Sequence, residues 1–297
     1  MTTRRRFLLI TAALALSGPA HAARPFVWTG TAMGSAATIR LTHPEAASLT
    51  ARAAGEIDRL EDIFSLYRAN STLSRLNATG HIDAPPFELL ECLSIAAGIH
   101  DATEGLFDPT VQRLWQMQAE AATAGRPPTA AERRAALAIT GWHRVARDAD
   151  RVTLPRGMAL TLNGIAQGYV ADRIARLLQG EGLTDVLIDT GEMQALGPRR
   201  WPVHLPDGTL HPLAAQALAT SAPRGTVLDP RGQVGHILDP RTGDSAPPVW
   251  RSVSVAAPSA AIADALSTAA CLMPDEATIR AALARVPDST LIQTLRA

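Results

Sequence analysis

The densest group of chemically capable side chains lies at 236–243, where His236, Asp239, Arg241 and Thr242 are set among Pro240 and Gly243. A histidine can move a proton near neutral pH, and an arginine with a threonine can hold phosphate oxygens. Spacing alone leaves two readings open, a catalytic loop and a tight turn of solvated polar residues. A second group is Asp264 with Thr268, in a segment of helical character. Residues four apart share a helix face, so a carboxylate and a hydroxyl there can meet one hard cation, whose other positions waters and substrate phosphates fill. A surface aspartate and a threonine bonded back to its own helix would leave the same trace. The third group is Leu162-Asn163-Gly164-Ile165-Ala166-Gln167-Gly168-Tyr169, a strand end turning into a helix. Small residues permit close backbone approach there and free amides favour a phosphate, although Asn163-Gly164 reads equally well as a plain turn.

The elements that must hold these groups follow from periodicity and punctuation. Strands are expected at 26–31 and 36–42, around Met33-Gly34-Ser35. Leu49, Ala53, Ile57, Leu60 and Phe64 recur at helical spacing and specify one buried face of a helix over 44–64. A loop with Tyr67 follows, then a helix over 88–102, a helix start at Asp108-Pro109-Thr110, and a surface loop at 119–126. Thr129 and Glu132 form a capping box that opens a helix to about 139. Short strands are expected at 143–146, 151–154 and 158–162, then a helix over 166–178. Further strands fall at 185–189, 194–197, 202–205, 215–220 and 251–256; helices at 259–273 and 276–285 and a strand at 289–294 close the chain. Without a fixed repeat or regular βαβ alternation, the class is α+β.

At 297 residues the chain can bury a sizeable core, as one large domain or two packed lobes. Basic and acidic residues balance, so no global field collects nucleic acid or anionic membrane. Cys92 and Cys271 form no CxxC pair and sit in apolar helical stretches, which suits buried thiols. Arg4, Arg5 and Arg6 precede an apolar run to about Leu16, and Ala20-His21-Ala22 offers a small-x-small cleavage pattern. Residues 1–22 therefore read as a removed export signal of twin-arginine type, with an ordinary secretory signal as the alternative. The run is too short for a stable membrane anchor, and the mature domain, 23–297, is expected in the periplasm.

Taken in order, these stretches resemble the ApbE family of FAD:protein FMN transferases. Met33-Gly34-Ser35 resembles its Met-Gly-Thr, Phe64-Ser65-Leu66-Tyr67 its Phe-Ser-x-Tyr, and Phe107-Asp108-Pro109-Thr110 its Phe-Asp-Pro-Thr. Thr220-Ser221 and the two groups at 236–243 and 263–268 complete the likeness, which covers nearly all of the mature chain. The resemblance implies a T-fold-like arrangement of mixed sheets flanked by helices, with FAD in a cleft between lobes and Mg²⁺ on its pyrophosphate. Tyr67 would stack on the isoalloxazine, and Met33, Leu106, Phe107, Asp108, Thr161, Gln167 and Ile237 fall at flavin-contact positions. Asp264 and Thr268 would bind Mg²⁺ through side chains, Gly164 and Ser267 through main-chain carbonyls, and His236 would be the base, with Asp264 also counted among the catalytic residues. FMN would pass from FAD to a threonine or serine of a partner flavoprotein, with AMP released.

Three positions depart from the family pattern. Thr161 stands where the family usually has Asp, Gln167 where it has Lys, and Asp189-Thr190-Gly191-Glu192-Met193 where most members have a Gly-Gly pair followed by an acid. The string from Asn163 to Tyr169 and the Gly-Glu variant resemble the NosX branch, whose implied acceptor is a membrane-bound flavoprotein of the NosR type in nitrous oxide reductase maturation. An FAD pyrophosphatase or a non-catalytic FAD-binding maturation chaperone would share the same residues. A periplasmic solute-binding protein would need two parallel βαβ lobes, which this order of elements does not supply.

Overall fold

A computed structural model describes residues 24–297, so the expected export signal lies outside the described residues. The chain opens with β1 (Phe26–Ala32), β2 (Ser35–Leu41), α1 (Ala46–Phe64), α2 (Thr72–Thr79), β3 (His81–Asp83) and α3 (Phe87–Ala102). It continues through α4 (Gln112–Thr123), α5 (Ala130–Ala138), β4 (Ala146–Arg147), β5 (Arg151–Thr153) and α6 (Ala166–Gly180). Next come β6 (Val186–Asp189), β7 (Met193–Leu196), β8 (Trp201–His204), β9 (Leu210–Leu213) and β10 (Ala217–Ser221). Last are β11 (Trp250–Ala257), α7 (Ala260–Ala270), α8 (Glu276–Leu283) and β12 (Thr290–Arg296).

Seven strands form the main sheet in the order β1-β2-β6-β7-β10-β11-β12, and every neighbouring pair runs antiparallel. Alternate residues of a strand face opposite sides, and the sequence uses both. Val186 and Ile188 of β6 join the large core under α1, α3, α6 and α7, while Leu187 between them joins a smaller cluster with Trp201, Val203 and Leu213. The β8–β9 hairpin thus covers the face that the helices leave open. The expected α+β class with helix-flanked sheets is the observed one. Among the described residues no helix is long and apolar enough to cross a membrane.

The contact that fixes the site is between α6 and α7. A side chain at Gly168 would overlap the main-chain carbonyl of Ala260, so only glycine lets the two helices approach this closely. Asp172, one turn further along α6, accepts hydrogen bonds from the amides of Ala260 (2.8 Å) and Ala261 (3.0 Å) and from the Ser259 hydroxyl (2.6 Å). That carboxylate satisfies amides the first turn of α7 cannot bond internally. A third cluster, Leu114, Met117 and Ala136 of α4 and α5 with Leu238, fastens the 236–243 loop. The Gln118 side chain adds a 2.7 Å hydrogen bond to the Gly243 carbonyl.

Several elements differ from expectation. Residues 158–162 form no strand; the Asn77 side chain instead pairs with both main-chain groups of Leu160, at 2.7 and 2.8 Å, in a strand neighbour's place. The expected loop at 119–126 begins later, because α4 runs to Thr123 through alanine-rich sequence of high helix propensity. Residues 143–146 are largely a 3-10 turn, Trp142–Arg144. The helix α2 and the strands β3 and β9 are additional. Both cysteines are buried and free.

Gly168→Ala should therefore lower the unfolding free energy by roughly 1–3 kcal/mol through overpacking. Gly98→Ala, exposed in mid-α3 with open space around it, should raise it by about 0.5–1 kcal/mol. Urea melts of the two variants check the contrast, and equal effects would show that the α6–α7 approach has slack.

Candidate active site

The three sequence groups converge on one cleft of about 420 Å³, a volume suited to a small-molecule ligand. Asp264 and Thr268 lie in α7 and face it together. Asp264 is only 3% exposed, and one carboxylate oxygen accepts the Gly168 amide at 3.3 Å, from the first turn of α6. Gly164 lies opposite; a side chain there would come within 3.0 Å of the Thr268 hydroxyl, so the turn that opens α6 leaves a cradle beside it. The Ser221 hydroxyl bonds Ser267 at 2.7 Å and Thr268 at 3.2 Å, fixing the hydroxyl array. A carboxylate and a hydroxyl aimed into a small-residue cradle fit a hard divalent cation.

Burial pushes the Asp264 carboxyl up from 3.8 to about 7, opposed by the Gly168 amide and aided by the charge of Asp172. Glu192 lies in the turn between β6 and β7, lines the same cleft, and is raised well above the ordinary carboxylate value by burial and by Asp264. Its carboxylate accepts the Thr220 amide at 3.0 Å.

His236 stands on the wall formed by the 222–238 segment. Its Nδ1 lies 3.1 Å from the Thr226 carbonyl, which can only accept, so Nδ1 carries the proton and the Nε2 lone pair is left as the acceptor. Burial lowers its pKa below 6.5, against carbonyls of Thr226 and Pro223 that favour the charged form, so the ring is neutral at pH 7. A neutral imidazole with an uncommitted nitrogen is a base.

The cleft also has an apolar lining, with Leu66, Leu106, Phe107, Trp115, Ile237 and Leu238 in its wall. Tyr67 lines it too, yet is 85% exposed. Its backbone is nevertheless pinned, because Ser65 Oγ accepts the amides of Tyr67 (3.0 Å) and Arg68 (3.1 Å). Arg68 in turn is gripped by Asp58, Glu61 and Asp62 of α1. The cleft thus combines an apolar, partly aromatic lining with acids and hydroxyls, the demands of a ligand with an aromatic ring and a cation-bound phosphate group.

A model of the ApbE family matches residues 33–290. The chain belongs to the ApbE family. It is 30% identical to an FAD:protein FMN transferase of Klebsiella pneumoniae, over 74% of this chain and 73% of that protein. It is 28% identical to one of Vibrio cholerae, over 98% of this chain and 94% of the relative. The solved ApbE protein of Thermotoga maritima superposes with a TM-score of 0.79 at 26% identity, covering 92% of this chain and 97% of that one. The Pseudomonas stutzeri flavinyl transferase ApbE, in its apo form, shares the fold at 0.77 and 23% identity, covering 92% and 95%.

Within this ApbE cleft the structure gathers Tyr67, Leu106, Phe107, Asp108, Thr161, Gly164, Gln167, His236, Ile237, Asp264 and Thr268. Two expected site residues are not in its wall. Met33 sits in the β1–β2 turn at φ 51°, its amide bonded to Glu61 at 2.7 Å, where it holds the turn to α1 beside Arg68. Ser267 is fully buried behind the cleft, and its carbonyl accepts the Cys271 amide at 3.3 Å. Asp108 reaches the wall with its carboxylate committed: it takes the Thr110 amide (2.8 Å) and hydroxyl (2.6 Å) and the Trp142 amide (3.1 Å). Gln167 donates to the Ser35 hydroxyl at 2.7 Å, tying the β1–β2 turn to α6. Sequence reasoning missed Trp115 and Glu192 as wall residues; Trp115 reads as core, whereas Glu192 lies in the 189–193 segment that departs from the family's Gly-Gly-acid pattern.

A carboxyl raised by folding favours its protonated form in the native state, so the stability it contributes is full below about 3.8 and lost as pH rises through about 7. The Tm of cation-free protein should therefore decline from about pH 4 to about pH 7. Asp264→Asn should remove part of that decline, and melting curves in chelator that stay parallel for the two proteins would contradict the burial of an ionised Asp264.

Proposed function

We propose that the chain transfers the FMN half of FAD to a threonine or serine hydroxyl of a partner flavoprotein. The observation that carries this reading is one cleft whose wall brings together Asp264 and Thr268, a neutral His236, and aromatic and aliphatic side chains. Asp264 and Thr268 by side chain, with the carbonyl of Gly164, are the groups that would hold Mg²⁺; Ser267, buried outside the wall with its carbonyl bonded to the Cys271 amide, is not among them. The ion would withdraw negative charge from the pyrophosphate. Tyr67 and the apolar wall hold the isoalloxazine and exclude water from one side of it. His236 Nε2 takes the proton of the acceptor hydroxyl as its oxygen bonds the FMN-side phosphorus. The bond from that phosphorus to the bridging oxygen breaks, and AMP leaves with the electron pair.

The acceptor in this reading is a membrane-bound flavoprotein of the NosR type, modified on its periplasmic side. The Asn163-to-Tyr169 string and the Gly191-Glu192 pair support that choice, and the arginines before the N-terminal apolar run support export by the twin-arginine route.

Purified protein incubated with FAD, Mg²⁺ and the periplasmic domain of such an acceptor should place covalent flavin fluorescence on the acceptor in denaturing gels. His236→Asn should lower kcat by roughly 10²–10⁴-fold with FAD binding retained. Free FMN and AMP with an unlabelled acceptor would indicate a pyrophosphatase instead, and bound, uncleaved FAD a carrier.

A further inference from the structure

We propose that Glu192 is a second anionic ligand of the divalent cation, so that the ion sits between carboxylates from the β6–β7 turn and from α7. The inference rests on the cation site of the transferase reading and extends it to a residue outside the Asp264–Thr268 pair. Glu192 is 7% exposed and Asp264 3% exposed, and both face the same cleft. Each has one oxygen bonded to a main-chain amide, Thr220 for Glu192 and Gly168 for Asp264. Among the described residues no hydrogen bond reaches the other oxygen of either one. Two buried carboxylates thus point free acceptors into one space.

Nothing in the wall neutralises them. No arginine lines the cleft among the described residues, and the sequence contains no lysine, all its 28 strongly basic residues being arginine. A buried anion without a positive partner is costly, and two in one cleft repel each other and any incoming pyrophosphate. Glu192 is also held in place. The Thr190 hydroxyl bonds the Gln167 carbonyl at 3.0 Å, which fixes the turn against the start of α6 beside the Gly164 cradle. A divalent cation accounts for the pair, since hard oxygen ligands of net charge −2 match it in kind and in charge.

The test uses Mn²⁺ as the probe and FAD-free protein, read by the electron paramagnetic resonance signal of free Mn²⁺ rather than by turnover. Glu192→Gln keeps the shape and an oxygen for the Thr220 amide. It should weaken Mn²⁺ binding by at least about tenfold, as loss of one charged ligand does. The variant should melt no lower than the unaltered protein in chelator, and should gain less in Tm when Mn²⁺ is added. Asp264→Asn should also weaken binding. Unchanged affinity in Glu192→Gln, with affinity lost in Asp264→Asn, would overturn the role of Glu192 while leaving the transferase reading intact. Unchanged affinity in Asp264→Asn would remove the cation site itself, and absence of Mn²⁺ binding by the unaltered protein would overturn the pairing.

Discussion

The hydrogen bond from the Gly168 amide to Asp264 is the joint on which the site depends. It is made where α6 and α7 come closest, at a residue whose missing side chain permits that approach. An acid buried this deeply is eased by an amide from a helix start, where the backbone carries partial positive charge, though burial still raises its pKa. Asp172 repeats the device in the opposite direction, with a carboxylate of α6 serving the amides of α7. Each helix thus supplies an anion to the other's first turn, and their relative placement is set by polar bonds as well as by packing.

The two walls of the cleft share one core, and one of them has a second anchor. The acids and hydroxyls rise from α6, α7 and the strand ends β7 and β10, all bound into the large core or its sheet. The 236–243 loop shares that core through Ile237 and has a second anchor in Leu238, part of the small α4–α5 cluster, and in Gln118. The proton acceptor is therefore tied to the anionic wall through the shared core, and also to α4 and α5, whose residues can shift the loop from outside the cleft.

Much of this was legible in the sequence, for identifiable reasons. The helices α1, α6 and α7 have long apolar faces and were placed within a few residues, because periodicity survives whatever they pack against. Residues 158–162 carry strand-like composition, but the partner that satisfies them is a side-chain amide from α2, and no local pattern announces it. Helix α2 has its signals in place, Ser71 at the start and Gly80 in a left-handed conformation at the end, yet its eight residues offer little periodicity. Of the site, the grouping of His236, Asp264, Thr268 and the turn at Gly164 came from order and resemblance. That Met33 and Ser267 support the cleft from outside its wall depends on hydrogen bonds between distant segments, which residue type does not encode.

Tyr67 projects into water from a backbone that cannot readily move, held by Ser65 and by an arginine fastened to three acids. The backbone there has little conformational entropy left to lose when something settles on the ring, so only the side chain's own rotamers must be fixed. Its apolar surface is at present hydrated, so the solvent released on contact is the main gain, and that gain is entropic near room temperature and fades on cooling. Recognition at Tyr67 is thereby coupled to temperature more than to salt, the reverse of what holds among the acids of the cleft.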